Sequence, residues 1–229
     1  MGFLPVTRDE MRKLGWRRAD VILVSGDAYV DSPYSGVAVI GQTLAKAGYR
    51  VAILSQPDMS DPDAFRSLGE PNLFWGVSPG CVDSMVANYT AVGKRRHQDD
   101  FTPGGENNRR PDRAAIAYSN AIRAAWKPCK PIVLGGVEAS LRRIAHYDFW
   151  SDRVRRPVVC DAKADALCYG MGERSMLMQR LDFTQWQAQK THFLNTHKAL
   201  KPGLTIKSTA DPAESSSRAL HTSVLTEYL

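Results

Sequence analysis

Two glycine turns are the places in this chain where residue type and spacing point to chemistry. Gly135-Gly136 follows the apolar run Pro131-Ile132-Val133-Leu134, and Gly170-Met171-Gly172-Glu173 follows the short run Asp165 to Tyr169. Glycine has no Cβ, so a backbone built from it admits another group to close range. Where such a turn opens a helix, its N–H groups face an anion or a polar ligand. Tight strand-to-helix turns use the same residues without binding anything, and either pair alone leaves both readings open. Three further stretches share the edge: Asp27 with the turn Asp31-Ser32-Pro33-Tyr34-Ser35-Gly36, then Gln56-Pro57, then Ser78-Pro79-Gly80. The pocket so assembled has Asp31, Ser32, Gly36, Ser78, Gly135, Gly136, Gly170, Gly172 and Glu173 as candidate contacts. It suits a nucleotide or the tail of a tetrapyrrole. A helix cap for Asp31 and a charge complement to a helix N-terminus for Glu173 are the alternatives.

Other chemistries lack their residues. Gly170-x-Gly172 is no dinucleotide fingerprint, because Ser175 stands where the third glycine belongs and the turn follows the last strand. Cysteines 81, 129, 160 and 168 form no C-x2-C pair and read as reduced core thiols. His192 and His197 miss the i, i+4 spacing of a helical metal pair. His146 stands beside aromatic residues and reads as a packing residue. No nucleophile–base arrangement is evident, so neither a catalytic nor a metal residue is assigned. Arg142-Arg143 and Arg153-Val154-Arg155-Arg156, with Tyr147, Phe149 and Trp150 between, have the composition of a nucleic-acid surface or of a solvated, partner-facing segment.

The elements that must position the turns follow from apolar runs and punctuation. Strands are expected at Asp20–Asp27, Arg50–Leu54, Asn72–Ser78, 131–134 and 165–169. Helices are expected from Thr7, from Val37 to the cap at Gly48, after Asp61-Pro62, from Asp83 to Val92, from Ala114 to Trp126, and from Glu173 to Leu181. Thr7-Arg8-Asp9-Glu10 has the form of a capping box. This alternation predicts an α/β, doubly wound, flavodoxin-like sheet of five parallel strands, in which ligands sit at the strand C-terminal edge. Residues 94–113, polar and basic, are too long for an idle connection and read as functional or disordered. From residue 182 the chain turns Gln-, Ser- and Thr-rich, which predicts a partly helical appendage and a flexible tail over 182–229.

Hydrophobic and charged contents of 43% and 24% are those of an ordinary globular protein. No apolar run reaches the ~20 residues a bilayer-crossing helix needs. The first twenty residues carry charges and no signal-peptide core, which points to the cytoplasm. The net charge of +6 favours anionic partners, RNA among them.

Several segments together resemble the N-terminal part of the YgiQ-type radical S-adenosylmethionine proteins. They are Phe3 to Met11, Gly26 to Asp31, Ser84-Met85-Val86, Tyr118-Ser119-Asn120, Gly135 to Arg143, His146 to Asp152 and Tyr169 to Glu173. The likeness runs from residue 3 to about residue 181. It implies a domain similar to cobalamin-binding domains, over residues 1–181, joined in cis to a radical SAM barrel. In that barrel a C-x3-C-x2-C motif holds a [4Fe–4S] cluster and S-adenosylmethionine. This sequence departs from the family in two ways. Asp31-Ser32-Pro33 stands where the family has Asp-His-Pro, which removes a histidine from any corrin. No C-x3-C-x2-C occurs in the 229 residues. The chain is therefore expected to be the N-terminal domain alone, cut before the cluster motif. A stand-alone cobalamin- or nucleotide-binding module is the alternative.

Overall fold

The computed structural model describes residues 2–177 and 204–206. A first helix, α1 (Arg8–Lys13), forms because Thr7 and Glu10 close a capping box. Thr7 Oγ1 accepts from Glu10 N at 3.2 Å, and Glu10 Oε2 accepts from Thr7 N at 3.1 Å. The chain then enters β1 (Val21–Ser25), buried along its whole length. Helix α2 (Gly36–Lys46) returns it to β2 (Val51–Ser55), and a single 3-10 turn at Ala64–Arg66 precedes β3 (Phe74–Ser78). Helix α3 (Ser84–Asn88) is half the length its apolar pattern predicts. It stops because Asn88 turns its amide to Arg110 O and Asp112, and Tyr89 goes extended.

Helix α4 (Ala114–Ala125) leads to β4 (Ile132–Leu134), and α5 (Gly136–Leu141) starts at the first glycine pair. An antiparallel hairpin of β5 (His146–Asp148) and β6 (Arg153–Arg155) was not expected from the sequence. A short α6 (Val158–Asp161) then reaches β7 (Ala166–Cys168), and residues 173–177 are helical. Of the 182–229 region only β8 (Leu204–Ile206) falls within the described residues. It pairs in parallel with β7.

The main sheet has the order β2-β1-β3-β4-β7-β8, and every neighbouring pair is parallel. Its first five strands carry the doubly wound order expected, with β8 added at the edge. Strands covered on both faces must be apolar throughout, which explains the unbroken runs in β1 to β4. Ile22, Val24, Trp75 and Ile132 pack on the face that holds Tyr118 and Ile122 of α4. Val21, Leu23, Phe74 and Val133 pack on the other, with Val37 and Leu44 of α2. Gly76 makes room for this packing, since a Cβ there would lie 2.5 Å from Leu23 Cδ2.

Candidate functional site

The strand order reverses between β1 and β3, and the crevice at their C-terminal ends is where such sheets bind ligands. Here the protein fills it with its own atoms. Gly26 N donates to Ser78 O at 3.0 Å, and a Cβ on Gly26 would lie 1.9 Å from Pro79 O. Gly80, at φ +124°, could carry no side chain because its Cβ would lie 2.2 Å from Asp27 Oδ1. Asp27 Oδ2 in turn accepts from Cys81 N at 2.6 Å. These glycines bring two turns of one chain together.

Over this closed turn lies the long basic connection. Arg110 is buried, at 1% exposure, and its Nη2 is 2.6 Å from Asp27 Oδ1 and 3.2 Å from Asp99 Oδ2. Its Nε donates to Gly26 O at 3.3 Å, and its guanidinium sits 5.7 Å from the Phe101 ring centre. Gln56 Nε2 ties Gly26 O to Thr102 Oγ1, and Ala28 N donates to Phe101 O at 2.9 Å. Arg110 Nη1 and the Tyr118 hydroxyl are buried without hydrogen-bond partners, and burial raises the Tyr118 pKa. A composition-based reading of residues 94–113 could not single out this one arginine among its basic neighbours.

A second buried carboxylate organises the other half of the edge. Glu138 of α5, at 1% exposure, accepts from Ser84 N at 2.9 Å and from Ala115 N at 3.2 Å. One side chain thus accepts one first-turn N–H from each of α3 and α4, groups that have no acceptor within their own helix. Burial pushes the Glu138 carboxyl up, against the Ser84 hydrogen bonds. Asp83 caps α3 through Met85 N at 2.9 Å and pairs with Arg142. Beyond it, Arg113 holds Asp148 at 2.6 Å, and Arg155 and Arg156 each hold Asp161 at 2.9 Å, which fixes the β5–β6 hairpin. A cavity of about 10 Å³, lined by Arg113, Glu138, Arg142, His146, Asp148 and Arg155 among others, has room for one water. His146 Nδ1 donates to Ile144 O at 3.1 Å, and its Nε2 is buried without a partner.

The residues expected to line a pocket are distributed as follows. Ser78, Gly135 and Gly136 come together: Gly135 N donates to Val77 O, and a Cβ on Gly136 (φ +83°) would lie 2.8 Å from Ser78 Oγ. Gly170 N donates to Ser140 Oγ at 3.4 Å, and the space beyond Gly170 (φ +73°) is open. Gly172 approaches Ile40 of α2, and Glu173 begins the helical residues 173–177. Asp31 accepts from Gln42 Nε2 at 3.2 Å and does not cap α2, whose N-cap is Ser35. Ser32 Oγ accepts from Tyr34 N, and Gly36 is exposed at the first turn of α2. Cys81 Sγ donates to Tyr34 O at 3.5 Å and ties this loop to the β3 turn.

Cofactor chemistry can be tested on these side chains. An iron–sulfur cluster needs thiolates held close together. Burial pushes the Cys81, Cys129 and Cys168 thiols up to about 11, and the Cys160 thiol moves in the same direction. Among the described residues no three His, Cys, Asp or Glu side chains are grouped to hold a metal. The described donor set does not fit a cluster. The β1–β3 crevice is closed by Pro79, Asp27 and Arg110. Among the described residues no helix is long and apolar enough to cross a membrane.

Comparison with known proteins places this architecture. A UPF0313 protein of Fusobacterium nucleatum is 58% identical over 178 residues, which are 77% of this chain and 31% of the relative. One from Thermotoga maritima is 59% identical over 175 residues, 76% of this chain and 31% of the relative. One from Vibrio vulnificus is 52% identical over 196 residues, 85% of this chain and 25% of the relative. The chain thus spans less than a third of the length of these relatives. No solved structure matches it. The sequence model of the radical SAM N-terminal family matches residues 3–219, past the boundary at 181 where the resemblance fades to inspection, and the chain belongs to that family.

Proposed function

We propose that this chain is the non-catalytic leading domain of a radical SAM iron–sulfur enzyme, serving a cluster and S-adenosylmethionine held by a barrel in cis. The carrying observation is the contrast between the family match over 3–219 and the thiols, which are dispersed, with Cys168 buried and Cys81, Cys129 and Cys160 partly so, and whose pKa values that burial raises. A domain of this build contributes shape. Its sheet edge is braced by Arg110 and Glu138 from within, and it presents fixed turns to whatever follows. Anaerobic reconstitution with iron and sulfide tests this. This chain gives no [4Fe–4S] absorption or paramagnetic signal, while the full-length Thermotoga maritima relative gives both. A genuine cluster on this chain overturns the reading.

A second reading, a stand-alone module for cobalamin or a nucleotide, draws support from Gly170. Its left-handed turn has open space where a Cβ would project, at the end of β7. Calorimetry with cobalamin, S-adenosylmethionine and nucleotides decides it: no heat with any of them removes it. The pairing of Arg142, Arg155 and Arg156 with carboxylates argues against a nucleic-acid face on the hairpin.

A further inference from the structure

We propose that the outer face of α5 and the β5–β6 hairpin is the docking surface for the chain that follows this domain in its longer relatives. The inference rests on the reading of this chain as a leading domain. Val137 and Leu141 are one helical turn apart on α5, and Ile144 follows directly. All three are exposed, Leu141 at 63%. Tyr147 and Val154 face one another across the hairpin, and both are exposed. Phe149, two residues on from Tyr147, keeps 63% of its surface in water. Single exposed apolar residues are ordinary, but six within one stretch of 18 residues mark a binding face.

What lies beneath the face is rigid and charged. Asp148 points inward to Arg113, Asp161 holds Arg155 and Arg156, and Glu138 locks α5 to the starts of α3 and α4. Asp148 and the His146 Nε2 are buried while Tyr147, Phe149 and Val154 are directed to solvent. That reverses the usual economy of a surface hairpin and suits one that is covered in the assembled protein. The occupant follows from length. More than two-thirds of each relative lies outside the matched stretch, and this stretch is matched by an N-terminal family. The face also lies at the C-terminal side of β4, whose strand runs into α5 through Gly135 and Gly136.

Hydrogen–deuterium exchange on this chain and on the full-length Thermotoga maritima relative tests the proposal, with the α1 stretch of each as internal reference. The stretch matching 136–156 is expected to exchange at least about tenfold more slowly in the relative, with the stretch matching 61–69 unchanged. Equal exchange throughout overturns the docking. Cluster content is measured on the same sample. A relative with a cluster and no protection removes the docking alone. A relative without a cluster removes the radical SAM reading, whatever the exchange shows. Leu141→Lys with Phe149→Lys in this chain should leave its thermal midpoint unchanged to within about 2 °C, as expected for exposed sites. Unfolding of that variant would make the face part of this domain's own core and overturn the proposal. A dimer of this chain in sedimentation that the double lysine variant dissolves would assign the face to a second copy, and overturn it too.

Discussion

Arg110 Nη2 lies 2.6 Å from Asp27 Oδ1, joining the long basic connection to the first turn of the sheet in a place that water does not reach. Asp99 shares the same nitrogen at 3.2 Å. Two carboxylates and one guanidinium are stable there only as a set, since removing one member of a buried pair strands the rest. Arg110→Met should therefore cost about 3–5 kcal/mol of unfolding free energy. Asp99→Asn should cost less, because Asp27 keeps the shorter contact. Urea denaturation of the two variants checks the ranking. Equal and small losses would mean that the connection is not anchored at Arg110.

The glycine turns give a second prediction, because two of them differ in why they are glycine. At Gly26 the constraint is steric: the added methyl would meet the backbone oxygen of Pro79, which cannot swing aside. At Gly170 it is conformational: φ is +73°, with nothing nearby. Gly170→Ala should cost about 1–2 kcal/mol, and Gly170→Asn less, since Asn tolerates the left-handed region. Gly26→Ala should reach or pass the upper end of the roughly 1–3 kcal/mol typical of overpacking. No Asn-type rescue should exist at Gly26. Thermal midpoints of the three variants separate the two causes.

That distinction marks the limit of what the sequence could tell. Strands such as Val21–Ser25 were legible because burial on both faces demands an unbroken apolar run. The doubly wound sheet of five parallel strands followed from the alternation of runs and helices. The β5–β6 hairpin was not legible, for its strands read His-Tyr-Asp and Arg-Val-Arg and are held by ion pairs to Arg113 and Asp161. The glycines at the strand ends were legible as places of close approach. Composition did not reveal that the approaching group is Pro79 or Asp27. Nor did it mark Arg110, since a buried arginine and a solvated one read alike in a basic run.

Acid should unfold the protein through identifiable carboxylates. Asp20 holds Arg50 through both oxygens, at 2.6 and 3.0 Å, and Asn72 at 2.9 Å. Burial pushes its carboxyl up, but these hydrogen bonds outweigh that and leave it below the usual range. Asp148 behaves alike, with burial opposed by Ser151 and Arg113. A depressed folded-state value means that the unfolded chain binds more protons as pH falls. The stabilisation is therefore present above the ordinary aspartate value of about 3.9 and is lost as pH drops through the lower folded value. Asp20→Asn and Asp148→Asn should each lower stability near neutrality and flatten its fall between about pH 5 and pH 2. Urea midpoints measured across that range check it. An unchanged slope in both variants would assign acid unfolding elsewhere.

The thiols supply the last prediction and connect stability to function. A cysteine reacts with alkylating agents, and ligates iron, as the thiolate. In the folded chain burial holds Cys81, Cys129 and Cys168 up near 11, so at neutral pH almost none of each is ionised. Iodoacetamide should accordingly label these three slowly in the native protein and quickly in urea, with Cys168, packed beside Met176 and Gly172, the slowest of them. Peptide mapping over a time course reads each site separately. Labelling should speed up as pH is raised toward 11 even without unfolding, because the reactive fraction grows about tenfold per pH unit below the pKa. A cysteine that labels rapidly at neutral pH in the native chain would be a thiolate, and so a ligand the donor set described here does not contain.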